Sequence, residues 1–198
     1  MRTLILPWLV TVSLSAQTAL YVIKPGPDSR LALEIYKTGL MSGKKHLLVF
    51  DRFAGALNYN SATPEASNLD LNVESASFVV KDDWVSASQA KSIREEAAGK
   101  NGLDVTKYPQ IRFVASSVAK SGGAFTVQGT LTIRGVEKPV AVTVSMKPEP
   151  AGGALRFEGK AEVKLKDYGI KPPTAALGAV GTKNEMAVSF SLIATPRR

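Results

Sequence analysis

The amino-acid sequence predicts an all-β fold, namely a closed antiparallel up-and-down barrel with one short α-helix. The first observation is an alternation of polar and apolar residues. It is clearest over residues 155–166, where every second residue is charged and the others are apolar or glycine. That period of two is typical of a strand with one wet face and one dry face. The second observation is that connections such as residues 121–123 are short, which favours antiparallel neighbours. Long strands that are consecutive in sequence favour a barrel over a sandwich.

The first part of the chain contains five predicted strands. A Pro-Gly-Pro-Asp turn separates the first two of them, and a polar loop over residues 61–67 precedes the last. In the last strand, alternating leucine and valine begin at Leu69 and predict one strand that continues to about Val80. The five predicted strands are residues 20–24, 30–37, 44–50, 53–60 and 69–80.

One helix is predicted after these strands. Ser86 is followed three residues later by Gln89, which is the spacing of a capping box, and Gly99 is a typical helix end. A single helix among many strands usually covers an end of a barrel, and Trp84 just before it is expected to seal that end. The apolar residues that share one face of this helix are Ala90, Ile93 and Ala97.

Five more strands are predicted after the helix. Between the fourth and the last of them, the Pro/Gly/Ala-rich residues 167–183 form a long connection, which predicts either a gate to the barrel interior or a passive crossing loop. The five strands of this part are predicted at residues 110–118, 124–134, 137–147, 155–166 and 185–194.

The inward-facing residues mix large and very small side chains. Phenylalanines alternate with positions such as Gly129, Gly159 and Ala161. A barrel of about eight strands is either filled by its side chains or holds one small ligand, and the pattern leaves both readings open. If the interior holds a ligand, the residues expected to bind it are Leu33, Ile35, Phe113, Leu131, Val142, Phe157, Val163 and Phe190.

Composition limits the class of protein. The chain has 198 residues, no cysteine, one histidine and a net charge of +8. Arg2, an apolar run over residues 4–14 and small residues after it predict a signal peptide over residues 1–18 and a single barrel domain over residues 19–198. We therefore expect a periplasmic or secreted protein without a permanent membrane anchor. Most lysines and arginines fall on outward strand positions, and no nucleic-acid recognition motif is present, so no nucleic-acid partner is predicted.

Residue patterns typical of catalysis or metal binding are missing. His46 alternates with strand residues, and the chain has no G-x-S-x-G elbow and no histidine or carboxylate spacing typical of a metal site. Asp82 and Asp83 are expected to be surface charges that flank the helix. We therefore predict a non-enzymatic protein with no catalytic residue, no metal and no cofactor.

Three segments resemble the YceI-like family. Residues 103–113 (LDVTKYPQIRF) are similar to its acidic, Tyr/Phe-Pro segment that continues into an I-x-F strand. Residues 129–140 (GTLTIRGVEKPV) match its G-x-L-T-I-x-G-V-x-K-P-V hairpin, and residues 166–170 (KDYGI) resemble its D-F-G-I element. The order and spacing agree over nearly the whole chain after the predicted signal peptide. The chain departs from the family pattern at Asp28-Ser29, at Arg134 and at Leu165, where the family often has His-Ser, His and Arg.

The resemblance implies a lipocalin-like, eight-stranded barrel that is exported in bacteria. It also implies an apolar interior that holds a hydrophobic small-molecule lipid, such as a polyisoprenoid or an isoprenoid quinone. The departures remove polar groups that could contact a ligand head group, whereas the apolar lining is unaffected. An enzyme acting on such a lipid and a solid, non-binding barrel remain the alternatives, and the sequence leaves open whether the protein forms a homodimer.

Overall fold

The structure is a computed structural model that describes residues 18–150 and 152–197. The predicted signal peptide therefore lies outside the described residues, apart from Thr18, which begins the first strand. The described residues form one α-helix, α1 (Ala87–Ala98), and eleven strands. The strands are β1 (Thr18–Ile23), β2 (Arg30–Gly39), β3 (Lys45–Phe50), β4 (Phe53–Asn60), β5 (Asn68–Glu74), β6 (Phe78–Val80), β7 (Gln110–Ser121), β8 (Ala124–Ile133), β9 (Val136–Pro148), β10 (Leu155–Lys164) and β11 (Val180–Pro196).

The strands close into an antiparallel barrel. Pairing runs in the order β1-β4-β5-β7-β8-β9-β10-β11, and β11 pairs with β1 to complete the ring. The 17-residue β11 pairs with β2 along most of its length and with β1 near its end, so β1 and β2 lie end to end. In the same way β3 and β4 lie end to end and form one wall strand, and β6 and β5 lie end to end and form the next one. The wall thus has eight antiparallel strands and the chain has one helix, which confirms the predicted fold.

One strand is shorter than the alternation predicts. The prediction of a continuous strand from Leu69 to Val80 is wrong, because the chain leaves the ladder between β5 and β6. Ser75, which is buried, donates its hydroxyl to the Tyr108 carbonyl at 2.7 Å, and the Ser77 hydroxyl accepts from the Arg52 N–H at 3.2 Å. Such side chain to backbone hydrogen bonds offer the chain an alternative to strand pairing.

Helix α1 lies at one end of the barrel. The Ser86 hydroxyl accepts from the Gln89 N–H, the Gln89 side chain accepts from the Ser86 N–H, and Gly99 ends the helix, as the sequence predicts. Arg94 docks the helix on β6, since its guanidinium donates to the Ala76 carbonyl at 2.9 Å and lies over the Phe78 ring. None of the described helices is long and apolar enough to span a bilayer.

The three segments that resemble the family pattern meet at this helix end. Arg134, in the β8–β9 turn, donates to the Gly102 carbonyl at 2.8 Å and to the Gly169 carbonyl at 3.3 Å. The Tyr108 ring packs against Gly135, where a side chain would crowd it. Both turn residues have positive φ values, 53° for Arg134 and 72° for Gly135. The matched motifs therefore build the closed end of the barrel, whereas most of the interior is lined by other residues.

Candidate functional site

The barrel encloses a cavity of about 170 Å³. Side chains from the inner faces of the wall strands surround it. Its mouth lies at the end away from α1. There the β4–β5 connection contributes Pro64 and Ser67, β5 contributes its first residue, Asn68, and the β7–β8 hairpin contributes Val118 and Phe125. The interior is therefore not completely filled by side chains.

No charged residue lines this cavity among the residues that the structure describes. The polar lining residues are Tyr59, Ser67 and Asn68, near the mouth, while the deeper surface is aliphatic and aromatic. A site of this composition gains binding free energy by removing apolar ligand surface from water, and it offers no partner for a buried charge. The lining aromatic rings are Phe50, Phe113, Phe125, Phe157, Phe190 and Tyr59.

Most residues predicted to bind a ligand lie on the cavity wall. Ile35 instead lines a smaller pocket at the helix end, and Leu33 lies between the two and lines both. Val163 is buried in the core, 5% exposed, and does not line the cavity. The six predicted residues on the cavity wall are Leu33, Phe113, Leu131, Val142, Phe157 and Phe190.

Several residues that line the cavity were not predicted from the sequence. Val140 and Val144 alternate with Val142 on β9, so the same period of two identifies them. The inward orientation of Val118 does not follow from alternation along β7, because the pairing of β7 with β8 shifts register between Ala115 and Ser117. Such a bulge reverses which residues face inward, and alternation alone does not locate it.

Two glycines shape the cavity wall. A Cβ atom at Gly129 would collide with the Phe113 ring, and one at Gly159 would collide with the Phe190 ring. Each phenylalanine therefore lies across a neighbouring strand that lacks a side chain at that point. This arrangement keeps both rings against the wall, which leaves space at the centre of the barrel.

A second, smaller pocket of about 90 Å³ lies between α1 and the barrel. It contains polar groups, unlike the large cavity. Lys37 points inward and donates to the Thr182 hydroxyl at 3.4 Å. Burial lowers the pKa of Lys37, and the nearby Glu96 carboxylate acts in the opposite direction. The polar residues that line this pocket are Lys37, His46, Glu96, Asn101 and Thr182.

His46 has a buried partner that the sequence did not reveal. Its Nδ1 lies 2.6 Å from Asp82 Oδ2, and Asp82 Oδ1 accepts from the Leu47 N–H at 2.7 Å. The Asp82 side chain has no exposed surface, so the expectation that it is a surface charge is wrong. Trp84 stacks on the imidazole, with ring centres 5.2 Å apart, and donates to the Lys45 carbonyl. A carboxylate facing Nδ1 leaves Nε2 of a neutral imidazole as the acceptor.

The long connection between β10 and β11 lies beside this smaller pocket. Ile170, Pro173 and Thr182 from residues 167–183 line the small pocket, and no residue of that segment lines the large cavity. The mouth of the large cavity is at the other end of the barrel. The structure therefore places the segment away from the position where a gate to that cavity would act.

On the outer surface, Glu34 is the centre of a charged cluster. Its carboxylate accepts from Lys45 at 3.0 Å, from Lys160 at 3.4 Å and from the Tyr36 hydroxyl at 2.8 Å. Burial alone would raise the pKa of Glu34, but hydrogen bonds from Lys45, Tyr36 and Ser189 lower it to about 2. The cluster joins β2, β3 and β10 across the wall. Among the described residues, no group of three or more His, Cys, Asp or Glu side chains is placed to hold a metal ion.

Comparison with known proteins agrees with this architecture. The UPF0312 protein of Pseudomonas savastanoi pv. phaseolicola is 33% identical over 146 residues, which cover 71% of this chain and 70% of the relative. The UPF0312 protein of Yersinia pestis (strain Pestoides F) is 31% identical over 144 residues, which cover 71% of this chain and 69% of the relative.

Two solved structures share the fold. Burkholderia cenocepacia BcnA superposes with a TM-score of 0.66 at 24% identity and covers 83% of this chain and 96% of its own. The Campylobacter jejuni YCEI protein superposes with a TM-score of 0.60 at 17% identity and covers 75% of this chain and 83% of its own. The model of the YceI-like domain matches residues 21–194, so the chain belongs to the YceI-like family.

Proposed function

We propose that this protein is an exported carrier that holds a long apolar lipid, such as a polyisoprenoid or an isoprenoid quinone, inside its barrel. The observation that carries the proposal is the large cavity, which has no charged lining residue among the described part of the chain. Its polar lining residues are confined to the mouth. An amphiphile would therefore bind with its apolar chain inside and its polar group at the mouth.

The free energy of an empty cavity supports a bound ligand. Each Å³ of apolar cavity costs about 24 cal/mol, so 170 Å³ left empty would cost about 4 kcal/mol. That amount is a large fraction of the stability of an ordinary domain, which is roughly 5–15 kcal/mol. A ligand that fills the space recovers this free energy and adds the gain from its own burial.

The cavity also limits the ligand. One water-sized group needs roughly 10–15 Å³, so the enclosed space holds on the order of a dozen such groups. A longer polyisoprenoid would extend through the mouth or displace the side chains there. The lining residues around the mouth, Tyr59, Leu69, Val118, Phe125 and Met146, are only partly buried, which suits such an extension.

Native mass spectrometry of gently purified protein tests the proposal. We expect a non-covalent adduct that dissociates on activation, and organic extraction should release a lipid with a long apolar chain. Protein that carries no adduct, and that does not bind added polyprenol or a hydrophobic fluorescent probe such as diphenylhexatriene, would support the non-binding barrel instead.

Export is tested separately. Protein recovered from the periplasm or the medium should begin near Gln17 or Leu20 when its amino terminus is sequenced. Intact Met1 on protein from the soluble cytoplasmic fraction would contradict the export part of the proposal and leave the lipid-binding part standing.

A second candidate function, an enzyme acting on a lipid, is favoured by one observation. His46 is oriented by the buried Asp82 carboxylate and lines the smaller pocket, which is the arrangement of a general base in many hydrolases. Incubation of the loaded protein followed by mass analysis of the lipid distinguishes the candidates. A carrier returns its lipid unchanged, whereas an enzyme converts it, and the conversion stops in His46→Gln.

A further inference from the structure

Two neighbouring loops at the helix end of the barrel expose large apolar side chains. Leu40 lies in the β2–β3 turn and is 82% exposed, and Leu177 lies in the connection before β11 and is fully exposed at 109%. The loops are joined, since the Leu40 N–H donates to the Ala179 carbonyl at 3.0 Å. Among the described residues only one other large apolar side chain is exposed, Val79 at 41%. The two most exposed apolar residues thus lie on one surface.

The backbone holds Leu177 outward at the expense of an unfavourable conformation. Ala176 and Leu177 both have positive φ values, 50° and 54°, in the left-handed region that residues with a Cβ atom rarely adopt. They are the central residues of a turn in which the Gly178 N–H donates to the Ala175 carbonyl at 3.1 Å, and turns of this kind favour asparagine and glycine at both positions. Alanine and leucine there are strained, and no buried contact stabilises Leu177. Strained backbone that presents an exposed side chain is a feature of binding loops.

Within the two loop segments themselves the charged side chains have one sign. Residues 36–46 and 168–184, which include both loops, contain five lysines and no aspartate or glutamate. Lys45 is paired with Glu34. Lys44, Lys171 and Lys183 are exposed and form no salt bridge with any described residue. An apolar tip surrounded by lysines complements a surface that is anionic at its boundary and apolar beneath it.

We propose that Leu40 and Leu177, together with Lys44, Lys171 and Lys183, form a docking surface for an anionic lipid bilayer. The leucines insert at the boundary between head groups and acyl chains, and the lysines bind the anionic head groups. Docking through this surface leaves the mouth of the large cavity pointing away from the bilayer. The proposal is independent of the carrier function, because it involves neither the cavity nor a bound lipid.

Vesicle sedimentation tests the docking surface. The full protein should sediment with vesicles of mixed phosphatidylcholine and phosphatidylglycerol, but not with phosphatidylcholine alone, and raised salt should release it. Leu177→Ser and Leu40→Ser should each lower the partition coefficient about tenfold, from the usual gain on burying a leucine. Val79→Ser is the matched control and should leave it unchanged. Every variant carries the same apolar amino-terminal run, so that run does not explain a difference between them.

The lysines have their own control. Lys171→Gln combined with Lys183→Gln should weaken binding at least tenfold and reduce its salt dependence, whereas Lys24→Gln combined with Lys120→Gln should not, since both residues are exposed and lie outside the two loops. Circular dichroism checks that each variant is folded. Equal binding to both kinds of vesicle, no binding to either, or equal losses in the test and control variants would overturn the proposal. A dimer detected by light scattering would also overturn the proposal if Leu40→Ser or Leu177→Ser dissociates it. The surface would then be an interface between two copies of the protein.

Discussion

Filling the large cavity with a side chain should have opposite effects on stability and on ligand binding. Val127 lies on the cavity wall, between Val118 and Val142 on the paired strands, both of which also line the cavity. In Val127→Phe four additional carbon atoms enter the empty space. At about 0.8 kcal/mol per buried carbon, the ligand-free protein should become more stable by up to about 3 kcal/mol. That gain stays below the roughly 4 kcal/mol that the empty cavity costs.

The same substitution should remove the ligand. Binding of diphenylhexatriene and the native mass-spectrometric adduct should both be lost or greatly reduced, and urea unfolding of delipidated protein should shift to higher concentration. Gln128→Phe is the matched control, because Gln128 is exposed on the outer face of the same strand. It should change stability by no more than about 0.5 kcal/mol and leave binding intact. Unchanged binding in Val127→Phe would refute the reasoning, since the ligand would then bind elsewhere, and destabilisation by both substitutions would show that the inward register of β8 is incorrect.

Three further outcomes follow from the structure. Phe157→Asp places a charge on the apolar cavity wall and should lower stability by about 2 kcal/mol or more and abolish lipid binding, whereas the outward-facing Glu158→Gln should do little in the same urea and binding assays. Tyr168→Phe should stabilise the protein by about 1–3 kcal/mol, because the Tyr168 hydroxyl is buried without a hydrogen-bond partner among the described residues. Burial raises the pKa of Tyr168 to about 12, above its ordinary value of 10.0, so the folded protein should lose stability as the pH rises from 10 towards 12, and Tyr168→Phe should remove this loss. The pH dependence that comes from Glu34 has the opposite sign, because its pKa is lowered from 4.5 to about 2. Its contribution to stability, up to about 3 kcal/mol, is present above pH 4.5 and is lost as the pH falls towards 2. Glu34→Gln should remove this dependence from acid unfolding curves.

Each of these outcomes has a result that contradicts it. Similar losses from Phe157→Asp and Glu158→Gln would mean that β10 is not half-buried in the observed register. A less stable Tyr168→Phe would mean that the hydroxyl does have a partner. An acid transition that is the same with and without Glu34 would show that the surface cluster does not contribute to stability.

The fold was predictable because its signals are local. A period of two in the strands, the turn residues between them and the Ser86–Gln89 capping box each act over a few residues. Each predicted element is present in the structure, except that the strand predicted over residues 69–80 is divided into β5 and β6. The matched family motifs also predicted the fold correctly, since residues such as Tyr108, Arg134 and Gly135 close the helix end of the barrel. Alternation placed Phe113, Phe157 and Phe190 on the inner face for the same reason, because side-chain direction in a strand is set by position.

The open interior and the partners of individual side chains depend on contacts between distant parts of the chain. Whether the inward residues fill the barrel depends on where Phe113 and Phe190 lie relative to Gly129 and Gly159 on adjacent strands. The bulge in β7 that turns Val118 inward is a property of its pairing with β8.

His46 and Asp82 are 36 residues apart in sequence and become partners only because β3 passes beside the chain that leaves β6. Leu40 and Leu177 share one surface because β2 pairs with β11. The sequence by itself thus determined most of the secondary structure, the barrel architecture and the apolar character of its lining, since these follow from local periodicity and turn chemistry. The tertiary structure alone decided that the barrel contains a cavity, where its mouth lies, which polar groups are buried together and which apolar residues remain on the surface, because packing between remote segments sets each of these.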